Sequence, residues 1–143
     1  MRSARDGDAP AIAEVYLASF RGLAFLPPVH TDDEIRTWIR TELIPSHEVW
    51  VAQEGEEVVG LAALAHDVLG HLYVHPDHQG RGLGSALLEA VKRERPRGFT
   101  FWVFQRNEAA RRFYERHGCR MVELGDGSGN EEREPDARYE WAP

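Results

Sequence analysis

The sequence predicts a mixed α/β (α+β) domain built from about seven strands and about four helices. Seven segments are rich in strand-forming residues, and four others repeat apolar residues at helical spacing. Glycine and proline residues separate these segments, as turns between elements require. A chain of 143 residues without an internal repeat has the length of one domain, so we expect a single domain over residues 1–143.

The amino-terminal elements follow from capping residues and chain breakers. Residues 1–5 are expected to form a short first strand, and Asp8 is expected to cap the first helix. Thr31 and Glu34, three residues apart, are typical of the capping box that opens a helix. We expect Pro45 to end this second helix, because proline removes a backbone donor.

The remaining elements are strands and two further helices. The strands are predicted at residues 48–53, 57–65, 68–75, 99–104, 120–124 and 137–141. One helix begins at a glycine-rich loop near residue 82, after which leucine and valine recur at helical spacing. The other begins at Asn107, a helix-capping residue, and ends at Gly118.

The loop before the third helix contains three alternating glycines, Gly80, Gly82 and Gly84. Free N–H groups at the start of a helix attract phosphates, and glycines let the anion approach the backbone. A dinucleotide site would need another glycine spacing and an acidic strand end, and a P-loop would need Gly-Lys-Ser/Thr. Neither requirement is met. A different kind of phosphate loop and a loop without ligand both remain open.

A second motif lies on the last helix, and the glycine loop can be interpreted together with it. Residues 107–119 read Asn-Glu-Ala-Ala-Arg-Arg-Phe-Tyr-Glu-Arg-His-Gly-Cys. The two motifs together resemble the GCN5-related N-acetyltransferase (GNAT) superfamily, whose patterns are Gln/Arg-x-x-Gly-x-Gly/Ala and Asn-x-x-Ala-x-x-Phe-Tyr-x-x-x-Gly-Phe. Residues 79–84 match the first pattern in full, and the second departs only at Cys119, which replaces phenylalanine.

This resemblance extends over nearly the whole chain and implies both a fold and a cosubstrate. The implied fold is a central mixed, mostly antiparallel sheet that splays after its fourth strand. The implied cosubstrate is acetyl-CoA. Its expected contacts are Leu72, Tyr73, Val74, Gln79, Gly80, Arg81, Gly82, Leu83, Gly84, Ser85, Asn107 and Tyr114. Gln79 has a second interpretation as a brace of the loop, and Asn107 as a helix cap alone.

The implied reaction is acetyl transfer to a primary amine of a small molecule or peptide, by direct attack in a ternary complex. Val74 N–H is the expected donor to the thioester carbonyl. Tyr114 is the expected acid for the departing thiolate, since a phenol stays protonated at neutral pH, although a role as a core aromatic is the alternative. Glu34, His71 and Asp136 are candidates for the base, and no motif selects one of them.

Other functional classes remain open at this point. A non-catalytic acyl-CoA-binding module or an interaction protein would be compatible with much of the sequence. The amine acceptor is not specified, and either a monomer or a homodimer is expected. The polar segment 125–136 is predicted to be either a solvated loop or a lid over the acceptor site.

Composition narrows the range of partners. A formal net charge of -7 without a basic face argues against nucleic acid as a partner. No apolar run approaches the ~20 residues of a membrane span, so no membrane association is expected. The single cysteine, Cys119, fits a cytoplasmic location and a buried strand position rather than a nucleophile. The histidines between residues 66 and 78 lack recognised ligand spacing, so no metal is expected.

Overall fold

The computed structural model describes all residues from 1 to 143. Its strands are β1 Arg2–Ser3, β2 Glu48–Glu54, β3 Glu57–Ala65, β4 Val68–Val74, β5 Phe99–Phe104, β6 Arg120–Gly125 and β7 Asp136–Trp141. Its helices are α1 Ala9–Arg21, α2 Asp32–Trp38, α3 Ile44–Ser46, α4 Leu83–Glu94 and α5 Glu108–Arg116. All seven strands form one sheet in the order β1-β2-β3-β4-β5-β7-β6. The expected mixed sheet is confirmed.

The start of the chain differs from the prediction in two respects. The first strand is limited to Arg2–Ser3 rather than residues 1–5. Asp8 precedes α1, but its side chain does not cap that helix. Its carboxylate accepts hydrogen bonds from two Arg2 guanidinium nitrogens at 2.7 and 2.8 Å and from the Arg5 N–H at 2.7 Å. These charge-assisted bonds are stronger than a neutral cap and fix the carboxylate on β1 instead.

The second helix begins as predicted but ends differently. The Thr31 hydroxyl accepts from the Glu34 N–H at 3.1 Å, and the Glu34 carboxylate accepts from the Thr31 N–H at 2.9 Å. The capping box is therefore confirmed. After α2 the chain continues through a π-helical turn, Ile39–Leu43, into α3. Pro45 lies within α3, directly after this π-helical turn, so the prediction that it ends the helix was wrong.

The sheet opens between its fourth and fifth strands. β3 and β4 pair antiparallel from Gly60 opposite Val74 to Ala65 opposite Val68. β4 and β5 run parallel, and Val68 opposite Thr100 is their one registered pair. The two strands diverge beyond that pair, which confirms the expected splay after the fourth strand.

Helices cover both faces of the sheet, and β3 is therefore buried on both sides. On one face, α1 and the π-helical turn pack on β2 and β3 through Ile12, Val15, Ile39, Leu43, Val51 and Leu61. On the other, α4 and α5 pack through Leu64, Leu87, Leu88, Val91, Phe101, Tyr114 and Tyr139. The two layers hold β4 and the start of α4 at fixed positions beside the opening.

Candidate active site

Half of the β4 backbone faces the opening instead of a neighbouring strand. His75 N–H donates to the Val59 carbonyl at 2.8 Å, so His75 points toward β3. Successive residues of an antiparallel strand point their backbone groups to alternate sides. The N–H and C=O groups of Leu72 and Val74 therefore face the opening, where β5 is too far away to pair with them. This arrangement leaves an unpaired strand edge inside the molecule.

The glycine loop connects this edge to α4 through two left-handed residues. Gly80 and Gly82 both have φ of +80°, a conformation that costs little for glycine and much for residues with a Cβ. Gly84 has ordinary helical geometry, and a Cβ there would meet the Phe113 ring at 3.4 Å. Gln79 braces the loop, because its Nε2 donates to the Val74 carbonyl at 3.1 Å. The side chain thus occupies one of the acceptors on the open edge.

The backbone N–H groups of residues 79–85 are available to a ligand. The first bond of this region comes from the Ala86 N–H, which donates to the Gly82 carbonyl at 3.0 Å, and none of the preceding seven amides donates to a protein group. They surround the positive end of the 12-residue helix α4. The Arg81 side chain is turned aside to Glu54, with a nitrogen–oxygen distance of 2.7 Å. Anion binding here thus depends on backbone groups.

Ser85 and His117 connect the glycine loop with the end of α5. Ser85 Oγ lies 2.8 Å from His117 Nε2, and His117 Nδ1 lies 2.7 Å from the Phe113 carbonyl oxygen. A carbonyl only accepts, so Nδ1 carries a proton and, in the neutral ring, Ser85 Oγ–H donates to Nε2. This chain of bonds fixes the orientation of both side chains.

Asn107 lies at the start of α5 on the far side of the opening. Its Oδ1 accepts from the Ala110 N–H at 3.3 Å, so the capping interpretation is confirmed. The side-chain amide has no protein acceptor and lies on the cleft wall, so it is available as a donor. One side chain can cap the helix and bind a ligand at the same time.

Tyr114 projects from α5 into the space between the diverging strands. The residue is only 8% exposed, and its ring packs on Phe101 and Phe113 with centroid distances of 4.3 and 5.2 Å. Its hydroxyl makes no hydrogen bond with the protein, although the residue lines the cleft. Burial raises the pKa of Tyr114 above its ordinary value, with a smaller contribution from Cys119. The phenol is protonated at neutral pH and has an unused donor.

These groups line one cleft of about 850 Å³. The residues predicted from sequence that line it are Leu72, Tyr73, Val74, Gln79, Gly80, Gly82, Leu83, Gly84, Ser85, Asn107 and Tyr114. Arg81 is the exception, because its side chain pairs with Glu54 outside the cleft. The fold thus brings together the residues of both motifs, which are separated by more than twenty positions in the chain.

A second cavity of about 770 Å³ adjoins the cleft, and Phe20, Leu23 and His71 line both spaces. Its wall is formed by α1, α2 and the segment between them. Glu131 and Glu132, from the segment that joins β6 to β7, complete it. Glu131 lies 2.8 Å from His30 Nε2. The segment predicted as either a loop or a lid therefore lies against the cavity.

The three candidates for a base occupy different places. Glu34 lines the second cavity, but its carboxylate belongs to the capping box. Asp136 begins β7, accepts from Asn130 Nδ2 at 3.2 Å and lines neither space. His71 lines both, and burial together with the nearby His47 lowers its pKa to about 4, so it is neutral at physiological pH.

Glu132 is a residue of this site that the sequence reasoning did not single out. It lies in an irregular segment rich in charged residues, where no periodicity or spacing distinguishes one carboxylate from another. Burial raises the pKa values of Tyr16 and Tyr73, and the charge of Glu132 raises both further. Glu132 shares the second cavity with Tyr16, and the Tyr16 ring lies 5.3 Å from the Tyr73 ring.

No group of three or more metal-binding side chains lies close enough together to hold an ion. Cys119 is buried between α5 and β6, and burial raises the pKa of its thiol to about 11. A thiol protonated to this extent is a poor nucleophile. The cleft therefore gains neither a metal-binding group nor a reactive thiol from these residues.

An open sheet whose gap contains a helix start with free amides is the arrangement expected of the GNAT fold. The Acetyltransferase (GNAT) domain family matches residues 45–118, which include the β4 edge, the glycine loop and α5. The chain belongs to this family.

Individual relatives have different named acceptors. The chain is 35% identical to the L-amino acid N-acyltransferase MnaT of Escherichia coli over 64% of this chain and 59% of that protein. It therefore spans less than two thirds of that relative. It is 28% identical to the peptidyl-lysine N-acetyltransferase YiaC of Escherichia coli, over 86% of this chain and 84% of that protein.

Solved structures share the fold. The structure of yncA, a putative acetyltransferase from Salmonella typhimurium with its cofactor acetyl-CoA, superposes with a TM-score of 0.75. The sequence identity is 23%, and the match covers 99% of this chain and 91% of that one. In the present protein, none of the helices combines the length and the apolar character needed to cross a bilayer.

Proposed function

We propose that residues 1–143 form one N-acetyltransferase domain that moves an acetyl group from acetyl-CoA to a primary amine by direct attack in a ternary complex. The observation that carries the proposal is the alignment of three unused groups along one cleft. These are the open edge of β4, the amides of residues 79–85 and the hydroxyl of Tyr114. The two named relatives act on amino acids and on peptidyl-lysine, which both present primary amines.

The amides of residues 79–85 would bind the diphosphate of acetyl-CoA. They are partner-free, they converge at the amino end of α4, and glycines at 80 and 82 keep side chains away from the anion. The open N–H and C=O groups of Leu72 would bind the pantetheine arm as a neighbouring strand would, and the Val74 N–H would face its thioester. The free amide of Asn107 would donate to the same arm from across the cleft.

The chemistry requires one bond to form and one to break. The amine lone pair attacks the thioester carbonyl, and the oxygen that becomes negative accepts from the Val74 N–H, which faces the opening. The carbon–sulfur bond then breaks. Tyr114 donates its phenolic proton to the departing thiolate. The nitrogen, which became positive on attack, releases a proton to water, and a proton from solvent restores the phenol.

The proton of the attacking ammonium has a separate route. His71 lies where the cleft meets the second cavity, but its lowered pKa of about 4 means that it cannot retain a proton at neutral pH. We assign it the role of a neutral hydrogen-bond acceptor near the amine. The proton passes to water in the second cavity, which opens to solvent.

Two measurements on the intact protein test this function. Isothermal calorimetry with CoA is expected to give one site, and thiol release from acetyl-CoA is expected to depend on an added amine. CoA binding without release of thiol by any tested amine would favour a non-catalytic acyl-CoA-binding module. Absence of CoA binding would refute both.

A further inference from the structure

The second cavity has the composition of a site for a cationic ligand. Its walls contain the aromatic rings of Tyr16, Phe20 and Trp38. Tyr16 stacks on Phe20 with centroids 4.8 Å apart, and the Trp38 ring lies 5.8 Å from Tyr16 at an angle of 59°. Rings of this kind pack against methylene groups and attract cations through their faces. The cavity therefore suits an apolar chain that carries a positive charge.

The ionisable groups that line the cavity are mostly negative, which is complementary to a cationic ligand. Four carboxylates line it, namely Asp32, Glu34, Glu131 and Glu132, against a single permanent cation, Arg21. That cation already forms an ion pair with Asp32. A carboxylate on the ligand would therefore find no unpaired cation to bind it and would meet an excess of negative charge.

Glu132 differs from the other three carboxylates because it has no partner. Asp32 pairs with Arg21, Glu131 bonds to His30, and Glu34 completes the capping box. Glu132 forms no hydrogen bond or ion pair with the protein and is partly buried in the cavity wall. A carboxylate on the cavity wall that no protein cation neutralises can form a charge-assisted hydrogen bond with a cationic ligand. Glu132 thus has the chemistry of an ammonium-binding group.

The position of Glu132 connects this charge to the reaction site. Tyr16 lines the second cavity together with Glu132, and its ring lies 5.3 Å from the ring of Tyr73, which belongs to β4 and lines the acetyl-CoA cleft. Tyr114, the proposed acid, lines the same cleft as Tyr73. An ammonium held by Glu132 would therefore be next to the open edge of β4, where the thioester is expected.

We propose that the acceptor is a primary alkyl- or arylalkylammonium that carries no free carboxylate, and that Glu132 binds its ammonium group before transfer. This inference rests on the function proposed above. The chemistry is shared by the side chain of a lysine within a peptide and by a free amine or diamine. Free α-amino acids are excluded as preferred substrates.

Pairs of compounds that differ by one carboxylate test the substrate class directly. We would measure kcat/KM by thiol release for phenethylamine against L-phenylalanine and for cadaverine against L-lysine. The carboxylate-free member of each pair is expected to be at least about tenfold better. Nα-acetyl-L-lysine methylamide, compared with cadaverine, distinguishes a peptide-borne lysine from a free diamine.

Variants of one residue test the assignment of Glu132. Glu132→Gln keeps the size and removes the charge, and is expected to raise KM for the better amine by about tenfold or more, as loss of a charge-assisted hydrogen bond implies. It should also reduce the difference in kcat/KM between the two compounds of each pair. Glu132→Asp retains the charge and should recover part of the loss. Glu56→Gln, in the β2–β3 turn, is the matched control and should change nothing.

The outcomes separate the two proposals. Equal or better activity with L-phenylalanine and L-lysine would overturn the substrate class, and an unchanged KM in Glu132→Gln would overturn the role of Glu132. Both results leave acetyl transfer intact. Lack of CoA binding or of amine-dependent thiol release in the unaltered protein would instead refute the proposed function. The CoA Kd of each variant, expected within twofold of the original, shows that the fold is preserved.

Discussion

Tyr114→Phe isolates a single hydroxyl group whose environment is unusually simple. The ring remains between Phe101 and Phe113, and the hydroxyl that is lost makes no hydrogen bond with the protein. We therefore expect the free energy of unfolding to change by no more than about 1 kcal/mol. We also expect the CoA Kd to stay within about twofold, because the ring contact is retained and the hydroxyl faces only the sulfur of CoA, which is a weak hydrogen-bond acceptor.

The effect on turnover should be much larger. Loss of a general acid typically lowers the rate by about 10² to 10⁴. The leaving group here is a thiolate, whose reference pKa of about 8.5 allows it to leave without complete protonation. The lower end of the range is therefore expected, a decrease in kcat of about 10²-fold, or about 2.7 kcal/mol in activation free energy.

Tyr139→Phe provides the matched control within the same aromatic cluster. The Tyr139 ring stacks on Phe101 at 5.7 Å, but its hydroxyl donates to Glu115 at 2.5 Å and accepts from Arg111 at 3.1 Å, away from the cleft. This variant should lower the unfolding temperature and preserve kcat. Thiol release at saturating amine, calorimetry with CoA and thermal unfolding together measure the comparison. An unchanged kcat in Tyr114→Phe, or an equal loss in both variants, would refute the acid role.

Three further predictions concern the loop, the amino terminus and the thiol. Gly82→Ala should weaken CoA binding and lower the free energy of unfolding by about 1–2 kcal/mol, because φ is +80°; the cost is conformational, since no neighbour lies within 4 Å of a new Cβ. Gly82→Asn should lose less, because asparagine tolerates this conformation better than alanine. Equal losses for the two variants in calorimetry and thermal unfolding would argue against a conformational cause. The Arg2 guanidinium, with the Arg5 N–H, lowers the pKa of Asp8 to about 2, so its stabilisation of about 2 kcal/mol is present above pH 4 and is lost as pH falls toward 2. Denaturant titrations of Asp8→Asn should therefore converge with the original protein near pH 2, and a pH-independent difference would contradict this account. Burial raises the pKa of Cys119 to about 11, so a disulfide reagent should react with it only after unfolding, and fast reaction of the native protein would show that the thiol is exposed.

Local patterns predicted much of the fold. The strand β3 and the strand β5 were located to the residue, because each is a continuous apolar or aromatic run bounded by turn residues. The capping box at Thr31 was found from the spacing of two residue types. Pro45 was misplaced because sequence rules assume an ordinary helix, and the π-helical turn that accommodates it depends on packing of Ile39 and Leu43.

The candidate site was partly accessible to the same reasoning. The glycine loop and the residues Asn107 and Tyr114 belong to contiguous motifs, so their types and spacings could be read directly. The second cavity could not be predicted, because it combines α1 and α2 with a segment more than ninety residues later in the chain. Glu132 is distinguished from Glu131 by the absence of a partner in three dimensions, a property that no local pattern records.

Because β4 and β5 share only the pair Val68–Thr100, the stability of the folded protein should depend on the concentration of its cosubstrate. If acetyl-CoA lies in the gap as proposed, a small molecule supplies the contacts that an eighth strand would otherwise make. At a cosubstrate concentration one hundred times its Kd, this adds about 2.7 kcal/mol to the free energy of unfolding. Starvation for acyl donors would then shorten the lifetime of the enzyme as well as slow its turnover.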